Sequence, residues 1–124
     1  MLLVILLLQI PAPAETRAGR WVRRGATSLL CATSAIDAIQ TVSLAGRPGI
    51  YESNSLFRRN QGVNVPMVVG MKALVCATSV VLGERLPPAR RGMLTGLNLA
   101  GTGVNTFVIL HNRQVAKTAA QARP

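Results

Sequence analysis

The apolar residues of this chain are gathered into long blocks, and nearly all of its arginines lie between those blocks. The blocks run from about Ala26 to Ala45, from about Val63 to Gly83 and from about Met93 to Leu110. Each is close to the roughly 20 residues that an α-helix needs to cross a bilayer. Arginine pairs stand at their ends (Arg23 and Arg24, Arg58 and Arg59, Arg90 and Arg91), where guanidinium groups can sit among lipid headgroups. Only 15% of the 124 residues are charged, against about 25% in an average soluble domain. The pattern predicts an all-α fold: a small transmembrane helical bundle of about three spans, preceded by a short apolar amino-terminal segment.

Fourteen basic residues against four acidic ones give a formal charge of +10. Such a balance fits either nucleic acid or an anionic membrane surface. The arrangement favours the membrane, because the basic residues flank apolar blocks and only Trp21, Tyr51, Phe57 and Phe107 are available to stack on bases. The expected partners are a lipid bilayer with anionic headgroups and a second copy or another membrane protein, and no nucleic acid. Roughly seven basic residues fall on one side of three spans and six on the other, so charge alone sets no orientation.

Residues 1–14 form a separate segment. The run Leu2 to Ile10 is too short to span a bilayer and leads through Pro11 to Ala12 and Ala14, the small-residue spacing of a signal-peptide cleavage site. A basic start is missing, and an interfacial anchor or an organellar presequence are the alternatives. If the segment is cleaved, the mature amino end faces outward. Residues 15–25 read as a basic juxtamembrane segment, residues 26–112 as the three-span domain, and residues 113–124 as a polar basic tail that frays or lies along the headgroups. Within the domain, Gly46-Arg47-Pro48-Gly49 ends the first helix, and Pro66 belongs to the opening turn of a helix that starts near Asn64.

Ionisable residues inside the blocks carry the most information, since a lone charge at the bilayer centre costs on the order of 3 kcal/mol. Asp37 lies midway along the first block and Lys72 midway along the second, so antiparallel neighbours would bring them to one depth as an ion pair. Thr33, Asp37 and Gln40 share one helix face, Lys72, Cys76 and Ser79 a second, and Asn98, Thr102 and Asn105 a third. These predict a buried polar network built on Asp37, Gln40, Lys72, Asn98 and Asn105, because lipid offers such groups no partners. Gly92, Gly96 and Ala100 recur every four residues and are expected to form a helix-packing face. Cys31 and Cys76 read as two small buried residues, a disulfide having no support beyond the even count. Leu-Cys-Ala-Thr-Ser at 30–34 and Val-Cys-Ala-Thr-Ser at 75–79 read as chance use of small residues at contact faces.

The loop Tyr51-Glu52-Ser53-Asn54-Ser55, set between an aspartate-bearing span and a lysine-bearing span, resembles a pattern in families of small bacterial polytopic membrane proteins. Those families carry Asp in the first helix, Glu-x-Asn-Pro in the following loop and Lys in the next helix. Asp37, Glu52, Asn54 and Lys72 match over residues 26–112, and Ser55 stands where the family has proline. The resemblance implies a fold and a bacterial inner-membrane location, and no activity. It suggests that Glu52 and Asn54 cap the second helix or reach toward Lys72, or that Glu52 is solvated beside arginine.

No nucleophile with a positioned base, paired carboxylates, zinc spacing, phosphate loop or dinucleotide fingerprint is visible, so neither an enzyme nor a cofactor is expected. The sequence leaves a binding or assembly component, with a small oligomeric transporter or holin-like pore subunit as the alternative.

Overall fold

A computed structural model describes residues 14–47, 58–59 and 62–121. The expectations for residues 1–13 and for Glu52 and Asn54 lie outside the described residues. Three α-helices make up nearly all of the rest: α1 (Arg17–Leu44), α2 (Val65–Arg85) and α3 (Pro88–Gln121). Strands β1 (Arg58–Arg59) and β2 (Gly62–Val63) form a short antiparallel ladder in the α1–α2 connection, with Arg58 opposite Val63 and Arg59 opposite Gly62.

Local chemistry accounts for the boundaries. Thr16 caps α1, its hydroxyl oxygen accepting from the Gly19 amide at 3.0 Å. The helix ends where Gly46 takes a left-handed φ of 77°, a conformation open to a residue without Cβ. Asn64 caps α2 by accepting from the Met67 amide, and Pro66 falls in the first turn, where an absent N–H costs nothing. Leu86 and Pro87 break the chain before Pro88 opens α3, and the Arg91 guanidinium donates to the Leu86 carbonyl at 2.8 Å across the corner.

Two boundaries differ from the sequence expectation. Residues 17–25 are the opening turns of α1 rather than a separate juxtamembrane segment, because Thr16 supplies the cap ahead of them. The tail from His111 is no frayed end: α3 continues unbroken to Gln121, as its alanines, glutamine, lysine and arginine are good helix formers. At 34 residues α3 is about 51 Å long, against about 32 Å for the 21 residues of α2.

α1 packs extensively against both other helices, while α2 and α3 are in much less contact with each other. The core is small and largely polar. Its buried apolar members are Ala26, Leu30, Leu44, Val68, Leu94 and Ile109, and beside them Arg23, Thr27, Ser34, Asp37, Ser79, Asn98 and Asn105 are buried too. Large apolar side chains instead point outward on every helix, with Ile39, Leu74 and Phe107 all at least 60% exposed. A water-soluble domain shows the opposite distribution. α2 and α3 are both long and apolar enough to cross a membrane, with mean hydropathy of 2.0 and 1.4 over their most apolar stretches. α1 is long enough but falls short in hydropathy, being diluted by Asp37, Gln40 and its threonines and serines.

The expected packing face is also different. Gly92, Gly96 and Ala100 lie on the exposed side of α3, and a Cβ at either glycine would meet open space. Close approach is made by two other glycines. A Cβ on Gly101 would fall 2.9 Å from Leu30 Cδ1 of α1, and one on Gly83 would fall 2.9 Å from the Arg23 guanidinium. Helix phase decides this: Gly101 follows the buried Asn98 by nearly one turn, whereas Gly96 sits on the opposite flank.

Candidate buried polar site

The polar interior is built in tiers along α1, each joining at least two helices. At the arginine end, Arg23 is only 3% exposed. Its Nε donates to Glu15 Oε1 at 2.9 Å and its Nη1 to Glu84 at 3.4 Å. Glu15 also accepts from Arg91 Nη1 of α3 at 2.6 Å, and Arg24 reaches Glu84 at 3.5 Å. The hydrogen bond from Arg23, aided by that from Arg91, holds the Glu15 carboxyl below the usual carboxylate range against the opposing pull of desolvation. The same bond raises the pKa of Arg23.

One turn inward, Asn98 of α3 accepts from Ser79 of α2 at 3.1 Å and donates its Nδ2 to Thr27 of α1 at 2.9 Å. Two turns further, Asn105 repeats the arrangement: its Nδ2 donates to Ser34 of α1 at 2.9 Å and its Oδ1 accepts from Lys72 of α2 at 2.7 Å. A single asparagine therefore satisfies one donor or acceptor on each neighbour at two levels. Lys72 Nζ lies 2.7 Å from Asp37 Oδ2, and Asn112 Nδ2 donates to the other carboxylate oxygen at 3.4 Å. Asp37 is 4% exposed, and Lys72 is only half-buried. Gln40 joins α1 to α3, its amide donating to the Ile109 carbonyl at 3.2 Å and accepting from Arg113 Nε at 3.2 Å.

The structure thus places Asp37, Gln40, Lys72, Asn98 and Asn105 together along the inner faces, and it leaves no fully buried side-chain nitrogen or oxygen unpartnered among the described residues. Thr102 takes no part across helices and bonds back to the Asn98 carbonyl. Each of the three acids in the described residues, Glu15, Asp37 and Glu84, is paired with a base.

Sequence reasoning missed the arginine tier and the cysteines. Arg23 carries no local mark that separates it from its exposed neighbours, although the scarcity of acids was a signal that Glu15 and Glu84 hold particular partners. Contrary to the reading of two small buried thiols, Cys31 and Cys76 form a disulfide between α1 and α2, with Cα atoms 5.0 Å apart. The antiparallel crossing of the two Cys-Ala-Thr-Ser segments brings these positions face to face. The similarity also carries a pseudo-twofold relation: Ser34 and Ser79, each three residues beyond its cysteine, bond to Asn105 and Asn98 respectively.

Beside the disulfide, on the outward flank of the α1–α2 seam, runs an apolar groove of about 630 Å³ lined by Cys31, Ala35, Ala38, Val42, Ala73 and Cys76, among others. No group of three or more histidine, cysteine or acidic side chains capable of holding a metal occurs among the described residues. No family model, curated protein or solved structure matches the chain.

Proposed function

We propose that this chain is an integral protein of the bacterial inner membrane, related to the small polytopic proteins with the Asp, Glu-x-Asn and Lys pattern, and that it acts as a binding or assembly component. In this reading α1 is the third crossing. Its polar stripe is tolerated because α2 and α3 cover it with partners, which is how membrane proteins accommodate polar side chains.

One observation carries the choice between a packing seam and a conduit: buried and half-buried polar side chains from all three helices, Thr27, Ser34, Asp37, Lys72, Ser79, Asn98 and Asn105, are partnered with one another across the interior. A path for ions or protons needs groups that exchange partners with water, and a sealed network of this kind instead sets helix register. The outward small face at Gly92, Gly96 and Ala100 is available to a helix of another chain, which supports assembly.

Two measurements test the reading. Alkaline carbonate extraction should leave the protein in the membrane pellet. Purified protein in vesicles loaded with a pH-sensitive dye should pass no protons above protein-free vesicles under an imposed potential. Release by carbonate overturns the membrane reading, and a proton flux abolished by Asp37→Asn overturns the seam in favour of a pathway.

A further inference from the structure

The disulfide sits at a depth that poses a chemical question. On α2, Cys76 lies nine residues from Arg85 and eleven from Val65, which at 1.5 Å per residue puts it about 14 Å from one end and about 16 Å from the other. With α2 as a crossing, both sulfurs are near the middle of a hydrocarbon layer about 30 Å thick. Forming the bond removes two electrons and two protons from two thiols. Soluble thiol oxidants work from the aqueous phase, and the polar interior beside the cysteines is closed by the Asn98 and Asn105 tiers.

The open approach is from lipid. Both cysteines line the apolar groove and are only half-buried, so the pair is accessible along it. The groove extends along α1 from Cys31 to Ser43, about 18 Å, or roughly the hydrocarbon depth of one leaflet. Its volume of about 630 Å³ lies within the range of sites for small organic molecules. Lys72 stands one helical turn from Cys76 and lines the same groove, where its ammonium is held by Asp37.

We propose that Cys31 and Cys76 are a redox pair that exchanges electrons with a lipid-soluble quinone entering the groove; the proposal rests on α2 being a membrane crossing. In the oxidising direction the Cys76 thiolate adds to a ring carbon of the quinone. An S–C bond forms, and an electron pair moves to a quinone oxygen, which takes up the proton released by Cys76. The Cys31 sulfur then attacks Cys76: the S–S bond forms, the S–C bond breaks with its electron pair returning to the ring, and the Cys31 proton goes to the second oxygen. Two thiols and one quinone become one disulfide and one hydroquinone.

The test uses the full chain, reduced and freed of reductant in detergent micelles, mixed with a short-chain ubiquinone. Thiol loss is followed by a maleimide gel shift and hydroquinone by its absorbance. The expected result is one hydroquinone per disulfide. Oxidation should slow at least about tenfold in Ala73→Phe, which fills the groove. Oxidation of Ala73→Phe by the small aqueous reagent diamide should stay at the wild-type rate, which separates a blocked groove from a disturbed fold. The proposal is overturned if quinone oxidises the wild type no faster than quinone-free micelles do, if no hydroquinone appears, or if Ala73→Phe leaves the quinone rate unchanged. Carbonate extraction stands apart from these outcomes: protein that stays in the pellet yet ignores quinone sinks this proposal alone.

Discussion

Replacing Asp37 by alanine leaves Lys72 with Asn105 as its one polar partner inside the bundle. Lys72 is 2.7 Å from Asp37 Oδ2 and 2.7 Å from Asn105 Oδ1, and its side chain is 23% exposed. Stranding a buried charge costs 3–5 kcal/mol in well-packed proteins, and a lone lysine at a helix centre about 3 kcal/mol in a bilayer. Partial exposure and the surviving Asn105 bond put this case at the low end, about 3 kcal/mol, or roughly a hundredfold in the ratio of folded to unfolded bundle. Lys72→Met strands Asp37, which is more buried and keeps only the 3.4 Å bond from Asn112, so it should cost at least as much. The double variant Asp37→Ala with Lys72→Met buries no charge and should recover at least half of either loss. Unfolding in mixed micelles, titrated with sodium dodecyl sulfate and read by the fluorescence of Trp21, measures all four proteins. Strictly additive costs, with a coupling below about 0.5 kcal/mol, would falsify the ion pair as the element that joins these two helices.

Three further outcomes follow from the geometry. Gly101→Ala sets a methyl group against Leu30 and should destabilise by about 1 kcal/mol, whereas Gly96→Ala meets open space and should be neutral or slightly stabilising in the same titration. Glu15 has a lowered carboxyl pKa, so the folded state gives up its proton more readily than the unfolded state; its contribution is complete above the ordinary carboxylate range and is lost as the pH falls through the lowered value. Glu15→Gln should therefore flatten the acid side of a stability profile and leave a constant deficit near neutrality. Cys31→Ser should abolish the difference in mobility between reducing and non-reducing gels and should lower stability by no more than about 4 kcal/mol, the loop-closure value for a separation of 45 residues in water.

The helical architecture was legible because a coarse rule holds: long apolar blocks become helices, and polar residues within them turn toward one another. Asp37, Lys72, Asn98 and Asn105 stand out for that reason, each being costly where it lies unless it faces inward. Other features depend on helix phase and on pairing across the chain, which one sequence does not display. Arg23 and Arg24 are adjacent and chemically identical, yet only Arg23 points inward, because it shares the face of Thr27 and Leu30. The glycines make a related point: a four-residue spacing marks a face without saying which neighbour it meets, and within this chain close approach falls to Gly83 and Gly101 instead. The cysteines required the depth at which α1 crosses α2, which follows from the length of the connection and the caps at Thr16 and Asn64 rather than from the residues around each sulfur.

The covalent link between α1 and α2 lies near the middle of both rods, fourteen residues from the start of α1 and eleven from the start of α2. A pin at that place forbids sliding and permits scissoring. Spreading the helices at the arginine end, where Glu84 reaches Arg23 and Arg24 at 3.4 Å and 3.5 Å, tilts them about the pin and loads the Asp37–Lys72 pair on its far side. The two ends of the molecule are thereby geared to each other, so that spreading one end of the α1–α2 pair is felt at the ion pair on the other side of the disulfide.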